Sequence, residues 1–370
     1  MTIPHVVNRK GILQSSLIGA AIFAAAVAIL PIVFGALGVF GSSRSARTAF
    51  ASAPPGQYAV VAETEGTTDV VAIVPADGSA PPTEVARVSH LDGFGVKGAV
   101  SPNGEKVAVV AATGGTAANP TGSLVVIDLE SGQSSTLVGG IDPQQSPVWN
   151  RDSTAIVVTR DEGSGPITVE FLSVPADGSA PATIDTAEPV LGAYSVGFDG
   201  QGRFVDVAID GKGSTVRRGG SALQLISTQI TRDWQLSPDG TQLAFIESSL
   251  DGGLHYTGHT VSLDGATNVA FEPQTATEGQ QLGVAWQPGA SQPTFGDEPG
   301  GATRDGVESQ TAGGGFNIPL GYSHDGTALA VQHWSGPNFE NAGQPTLQIT
   351  DNSHSTPLDG YTRFLGWTAR

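Results

Sequence analysis

Beyond residue 57 the chain alternates short apolar segments with polar turns, and the alternation repeats. A large apolar residue, a turn of the type Ser-Pro-Asp-Gly and a short β-rich run return at a mean interval of about 44.5 residues. The clearest copy is Leu236-Ser237-Pro238-Asp239-Gly240, followed by Thr241-Gln242-Leu243-Ala244-Phe245. Tyr322-Ser323-His324-Asp325-Gly326 and Val100-Ser101-Pro102-Asn103-Gly104 are close to it. Looser copies begin at Trp149, Phe198 and Trp286, and a cut-off copy, Phe364-Leu365-Gly366-Trp367-Thr368, ends the chain. The large residue before the turn thus stands at 100, 149, 198, 236, 286, 322 and 367.

Each unit reads as strands. Pro presets φ at the second turn position, and Asp and Gly tolerate the left-handed geometry that follows. A later strand of the unit ends in its own Asp-Gly or Ser-Gly turn, as in Val126 to Gly132 and Thr260 to Gly265. The segment Val74-Pro75-Ala76-Asp77-Gly78-Ser79-Ala80-Pro81 recurs unchanged at Val174 to Pro181, which supports descent from duplicated units. No amphipathic helical pattern occurs in this region. Many short strands with evenly spaced turns predict an all-β array, and the period is that of four-stranded propeller blades.

A radial array must close or leave a sheet edge exposed. The terminal copy around Trp367 has no blade of its own after it, and the first unit, from about Gln57, has no motif strand before it. The C-terminal strand is therefore predicted to complete the first blade. The spacing predicts seven blades. Residues 296–315 are low in complexity and form strands poorly, which leaves six open.

The motif copies at 237–240, 101–104 and 323–326 resemble the TolB-type, WD40-like propeller repeat, over about 310 residues. The resemblance implies a scaffold whose function is added on its surface. It also implies a location outside the cytoplasm, where TolB-like propellers generally work.

The amino terminus differs. Leu17 to Phe40 is a 24-residue run with no charged side chain, long enough at about 1.5 Å per residue to span a bilayer with some tilt. The chain divides into a short cytoplasmic N-terminus (1–16), a transmembrane helix (17–40), a flexible stalk (41–56) and the propeller (57–370). A cleaved signal peptide is the alternative, although its apolar core is usually only about 7–15 residues. Its best cleavage-like site, Ala51-Ser52-Ala53, is followed by Pro54. Arg9 and Lys10 before the span balance Arg44 and Arg47 after it, so charge does not orient it. The family resemblance implies the propeller outside. Ala20, Ala24, Ala28 and Gly35 put small residues at a spacing that allows helix packing, though an Ala-rich span contains such spacing by composition.

Charge and cysteine narrow the function. The formal charge is −18, and no acidic residue precedes Glu63. An acidic propeller argues against nucleic acid and against an anionic lipid surface as partners. The absence of cysteine excludes disulfides, thiolate metal sites and a cysteine nucleophile.

Candidate chemistry is sparse. Gly93-Phe94-Gly95-Val96-Lys97-Gly98 matches the dinucleotide pattern GxGxxG but leads into a strand, so it reads as an interblade turn. His255 and His259 would share one face of a strand and could contribute to a metal site. Asp206 and Asp210 would do the same for a channel lining or a cation, the plainer reading being an exposed strand face. Ser323, His324 and Asp325 lie within one tight turn and do not form a triad. Trp149, Trp286 and Trp367 share the motif column and are expected to pack between blades rather than to stack sugars. No cofactor is expected. The function predicted is a membrane-anchored binding scaffold or accessory subunit with a protein partner, and not an enzyme. A propeller hydrolase or lyase, or a small-ligand or ion sensor using the central channel, are the alternatives, with Asp206, Asp210, His255 and His259 as pointers.

Overall fold

The computed structural model describes Phe50 and residues 53–370, apart from 163–166, 250–253, 265–267, 272–279, 299–301, 305–306, 309–313 and 352–353. The described chain is all-β and forms seven four-stranded sheets. Every strand pairs antiparallel with its neighbour. The first strands of sheets 1 to 7 are Arg363–Ala369, Lys97–Val100, Val148–Trp149, Gly192–Phe198, Ile230–Leu236, Gln280–Ala285 and Phe316–Tyr322. Each of these touches the first strand of the next sheet, and the last touches the first. They therefore form the inner ring of a propeller.

Sheet 1 closes that ring. Its inner strand is the C-terminal Arg363–Ala369, paired with Gln57–Glu65, which continues into Thr68–Pro75 and Thr83–Ser89. The core is not central but lies as slabs between neighbouring sheets. Val60, Ile73, Val107 and Val109 fill one slab between sheets 1 and 2, and Val110, Leu124, Ile156 and Val158 fill the next. Sheet packing on both faces explains why the second strands read as continuous apolar runs: every residue from Val107 to Ala112 is buried.

Three tryptophans of the motif column lock successive sheets in the same way. Trp149 Nε1 donates to the Ala99 carbonyl (2.8 Å), Trp286 Nε1 to Gln235 (3.2 Å) and Trp367 Nε1 to Gly321 (2.9 Å). Each acceptor is the residue just before the column position of the preceding sheet. The indole buries its bulk and satisfies an inner-strand carbonyl that would otherwise lack a partner.

The Ser-Pro-Asp-Gly turns join first and second strands, so they share one end of the ring, here the turn face. Ser237 Oγ donates to Asp239 Oδ1 (2.6 Å) and accepts from the Gln242 amide (3.0 Å). Ser323 repeats this with Asp325 (2.7 Å) and Ala328 (2.9 Å), so Ser323 and Asp325 are turn formers. Side chains and backbone tie the turns of different sheets. Thr368 Oγ1 donates to Gly104 O (2.6 Å), the Asn103 amide to Ser153 Oγ (3.1 Å), and Gln287 Nε2 to Gly326 O (2.7 Å).

Two expectations change here. The stalk ends in packed structure: Phe50 is buried and meets Tyr58 edge-on at 5.6 Å, while Gly56 and Arg370 exchange both backbone hydrogen bonds. The weak stretch from 296 onward contributes three short strands to sheet 6, Thr294–Glu298, Ala302–Arg304 and Val307–Glu308. The expected membrane segment 17–40, with Ala20, Ala24, Ala28 and Gly35, lies outside the described residues. Among those residues no helix is long and apolar enough to cross a membrane.

The turn geometry is testable at two glycines. Gly202 has φ +75° with open space around its Cβ position, whereas Gly240 has φ +71° and a Cβ there would stand 2.5 Å from the Gly200 nitrogen. Gly202→Ala should cost about 1–2 kcal/mol, the ordinary left-handed penalty. Gly240→Ala should cost clearly more, because two turns must separate. Equal shifts of the two variants in denaturant unfolding would show that the turns do not abut.

Candidate functional site at the channel mouth

The end of the ring opposite the turn face is the mouth. There the inner strands begin and the second strands finish. Lys97 and Arg363 are the first residues of neighbouring inner strands. The Arg363 guanidinium lies where a side chain on Gly95 would be, since a Cβ at Gly95 would overlap it. This is the use of the Gly93–Gly98 segment: it cradles an arginine, and no helix follows it. Buried Asp69 braces the segment. Its Oδ2 accepts from the Val96 amide (2.6 Å) and faces His90 Nε2 (3.4 Å), while Oδ1 accepts from Thr64 Oγ1 (2.5 Å).

Two carboxylates lie within electrostatic reach, Asp142 of Lys97 and Asp161 of Asp142. Asp142, on the connection into sheet 3, is fixed by its amide to Thr159 O (2.8 Å), and Asp161 lies two residues further along that strand. Tyr194 of sheet 4 follows, stacked on Trp234 of sheet 5 with ring centroids 4.9 Å apart. The crowding of these groups shows in their charge equilibria. Burial, then Arg363, pushes the Lys97 ammonium below the usual lysine range, with Asp142 opposing. Burial, then Asp142, raises Asp161. Burial, then both carboxylates, raises the Tyr194 phenol.

Towards the turn face Trp234 joins a cleft of about 480 Å³ between sheets 3, 4 and 5, lined by Trp149, Val196, Phe198 and Leu236. Arg151 borders it and ties two further turns, donating to Asp199 O (3.2 Å) and Pro238 O (3.0 Å).

Around the mouth lies an apolar rim. Among the described residues the exposed large apolar side chains are Ile167, Ile184, Leu191, Leu225, Ile230 and Leu254, all belonging to sheets 3 to 5 or their connections. Leu191 is 71% exposed and Ile230 54%. Strand direction puts Ile167, Leu191, Ile230 and Leu254 at the mouth end.

The four predicted candidates do not converge. Asp206, expected on an exposed strand face, is fully buried within sheet 4. Arg217 Nη1 approaches its Oδ2 at 3.4 Å, but no protein group hydrogen-bonds either oxygen. Arg217 spends its hydrogen bonds on Asp185 instead (2.8 Å). Asp210 caps the next turn by accepting from the Lys212 amide (2.7 Å). His259 stacks flat on Phe245 at 5.3 Å, with Nε2 3.9 Å from Glu247, and His255 is exposed at its strand's start. Among the described residues no three His, Cys, Asp or Glu side chains gather as a metal site would need.

The fold is shared with solved propellers. The chain is similar to the β-propeller domain of the Trilobed protease from Pyrococcus furiosus (13% identity, 83% of this chain, 99% of that one, TM-score 0.53). It is similar to a puromycin-hydrolyzing peptidase of Mycobacterium tuberculosis (14%, 87% and 54%, 0.53) and to TolB from Acinetobacter baumannii (14%, 85% and 67%, 0.51). It has a TolB-like β-propeller fold. No family model matches the sequence, and no curated protein matches it. At these identities the TolB-like fold hosts peptidases and non-peptidases alike, so function has to be read from the mouth.

Asp206 offers a pH test. Burial, opposed by Arg217 and helped by Asp185, lifts its carboxyl to about 7 from 3.8. The folded protein then holds a proton that the unfolded chain releases, so this group's stabilisation is complete below pH 3.8 and is lost as pH rises through 7. Asp206→Asn lacks this titration. Its stability relative to the unsubstituted protein should climb across that interval and then level off. A difference independent of pH would mean that Asp206 stays ionised beside Arg217.

Proposed function

We propose that this protein is a binding scaffold that docks a protein partner on the apolar rim of its channel mouth. One observation carries the reading: among the described residues, large exposed apolar side chains are confined to one sector, and Ile167, Leu191, Ile230 and Leu254 share its mouth end. Clustered apolar exposure of this kind marks interaction sites rather than ordinary surface. Each of the seven sheets is taken as one blade, so the sector spans three of seven. Loops on a rigid propeller suit such a role, because the scaffold holds them in place without its own chemistry.

The anchor belongs to the same proposal. Residues 17–40 span the membrane, the propeller stands outside the cytoplasm, and the protein is an accessory subunit of a membrane or envelope complex. The uncharged 24-residue run supports the span. An enzymatic reading has less support. Lys97, Asp142 and Asp161 are ionisable groups at the mouth, but among the described residues none is paired with a hydroxyl nucleophile in the hydrogen-bonded arrangement that nucleophilic catalysis uses.

Two outcomes are expected. The full chain should sediment with membranes and be released by detergent, while residues 50–370 alone should stay in the soluble fraction. After crosslinking in native membranes, the chain should be recovered with a protein partner, and Leu191→Ser combined with Ile230→Ser should abolish that recovery with thermal stability unchanged. Undiminished recovery with the double variant would remove the rim from the proposal.

A further inference from the structure

Docking at the rim leaves the cleft between sheets 3, 4 and 5 without a role. Its walls include Val148, Trp149, Val196, Phe198, Trp234 and Leu236. Both indoles offer it only ring surface, because Trp149 Nε1 donates to Ala99 O (2.8 Å) and Trp234 Nε1 to Thr231 Oγ1 (2.8 Å). Ser237, also on the wall, is engaged within its own turn, donating to Asp239 and accepting from the Gln242 amide. One charged side chain lines this space, Arg151. Its guanidinium is held from two sheets, with Nη1 donating to Asp199 O (3.2 Å) and Nη2 to Pro238 O (3.0 Å). It lies over Gly240, where a Cβ would come within 2.9 Å of Nη1. These bonds fix the group and leave its other N–H donors free. They do not neutralise it, since a carbonyl carries only a partial charge. The nearby carboxylates are engaged elsewhere: Asp199 accepts from Arg203 Nε (2.8 Å), Asp239 from Thr241 Oγ1 (2.9 Å) and Asp152 from Thr154 Oγ1 (3.0 Å). Among the described residues no carboxylate lies within ion-pair distance of Arg151.

We propose that this cleft binds an aromatic carboxylate. Its carboxylate takes the free N–H donors of Arg151, and its ring packs among Trp149, Phe198 and Trp234. A positioned polar group at the border of an apolar concavity is the usual make-up of a small-molecule site. A guanidinium offers the planar fork that a carboxylate fits, and Arg151 is solvent-exposed, so that fork is open to a ligand. Ring contacts add to the burial of apolar surface, which favours an aromatic body over an aliphatic one on this wall. A volume of about 480 Å³ admits one ring on a short chain. A cationic ligand would meet the Arg151 charge uncompensated. A ligand rich in hydroxyls would lose more hydration than Arg151 and Gln235, the other polar lining residue, could replace. The cleft shares none of the rim residues, so its occupation is independent of docking there.

Calorimetric titration of the full chain in detergent with 3-phenylpropanoate tests it. Two compounds with the same ring serve as controls: 3-phenylpropan-1-ol, with a neutral head, and 3-phenylpropylamine, with a cationic one. The carboxylate should bind saturably and shift tryptophan fluorescence, since Trp149 and Trp234 line the site. Each control should bind at least about tenfold more weakly, as should acetate, which lacks the ring. Arg151→Gln should weaken 3-phenylpropanoate about tenfold or more, in line with loss of a charge-assisted contact. Arg151→Lys, which keeps the charge without the fork, should fall between. Because Arg151→Gln also unties two turns, a second variant leaves the arginine in place. Val148 is half-buried and outside both core slabs that flank sheet 3, so Val148→Phe should fill the cleft and block binding with the ligand-free thermal midpoint unchanged. Leu191→Ser with Ile230→Ser should bind 3-phenylpropanoate normally, which separates this site from the rim. Equal binding of the alcohol and the carboxylate would overturn recognition of an anion. No saturable binding of 3-phenylpropanoate, or binding that survives either Arg151→Gln or Val148→Phe, would overturn the site itself.

Discussion

The pairing of Arg363–Ala369 with Gln57–Glu65 is the constraint on which the rest depends. Every sheet has core on both faces only if it has two neighbours, and an open ring would lose one slab and expose a sheet edge. In this chain the closing strand comes from the opposite end of the sequence, so all slabs complete together. Trp367 makes the same indole-to-carbonyl bond to sheet 7 that Trp149 and Trp286 make to their preceding sheets. The C-terminal strand is thus held by the ordinary device of the repeat. With no cysteine available, closure is entirely by packing and hydrogen bonds.

What could be read from the chain was whatever the repeat enforces. The column residues at 100, 149, 198, 236, 322 and 367 all stand within inner strands, and Trp286 directly follows one. They were legible because each must satisfy the same local demand: a bulky residue, then a turn of fixed handedness. Gly93–Gly98 was rightly placed before a strand, but its purpose was not visible. That purpose is Arg363, far away in sequence and brought beside it only by closure.

The site residues were missed for the same reason. Lys97, Asp142, Asp161, Tyr194 and Arg363 come from five separate stretches of chain, and no local spacing links them. Asp206 and Asp210 did have a suggestive spacing, and it misled. A strand covered on one side alternates buried and exposed positions, whereas second strands here are covered on both, so Asp206 was carried inside with Val205 and Val207. Burial of a carboxyl beside Arg217 is a property of the sheet stack that no period of two reports.

The two asymmetries of the propeller then fit one physical account. The repeat makes seven sheets nearly equivalent, and equivalence buries apolar side chains and spreads charge evenly. Departures from it are costly: apolar groups in water at Leu191 and Ile230, like charges adjacent at Lys97 and Arg363. Both departures lie at the mouth, while the turn face is bound into a belt by Thr368, Ser153 and Gln287. Rigidity at one end makes unsatisfied groups at the other affordable, because the backbone there cannot rearrange to pair them. A surface kept unsatisfied by a rigid frame is pre-organised for something that will satisfy it.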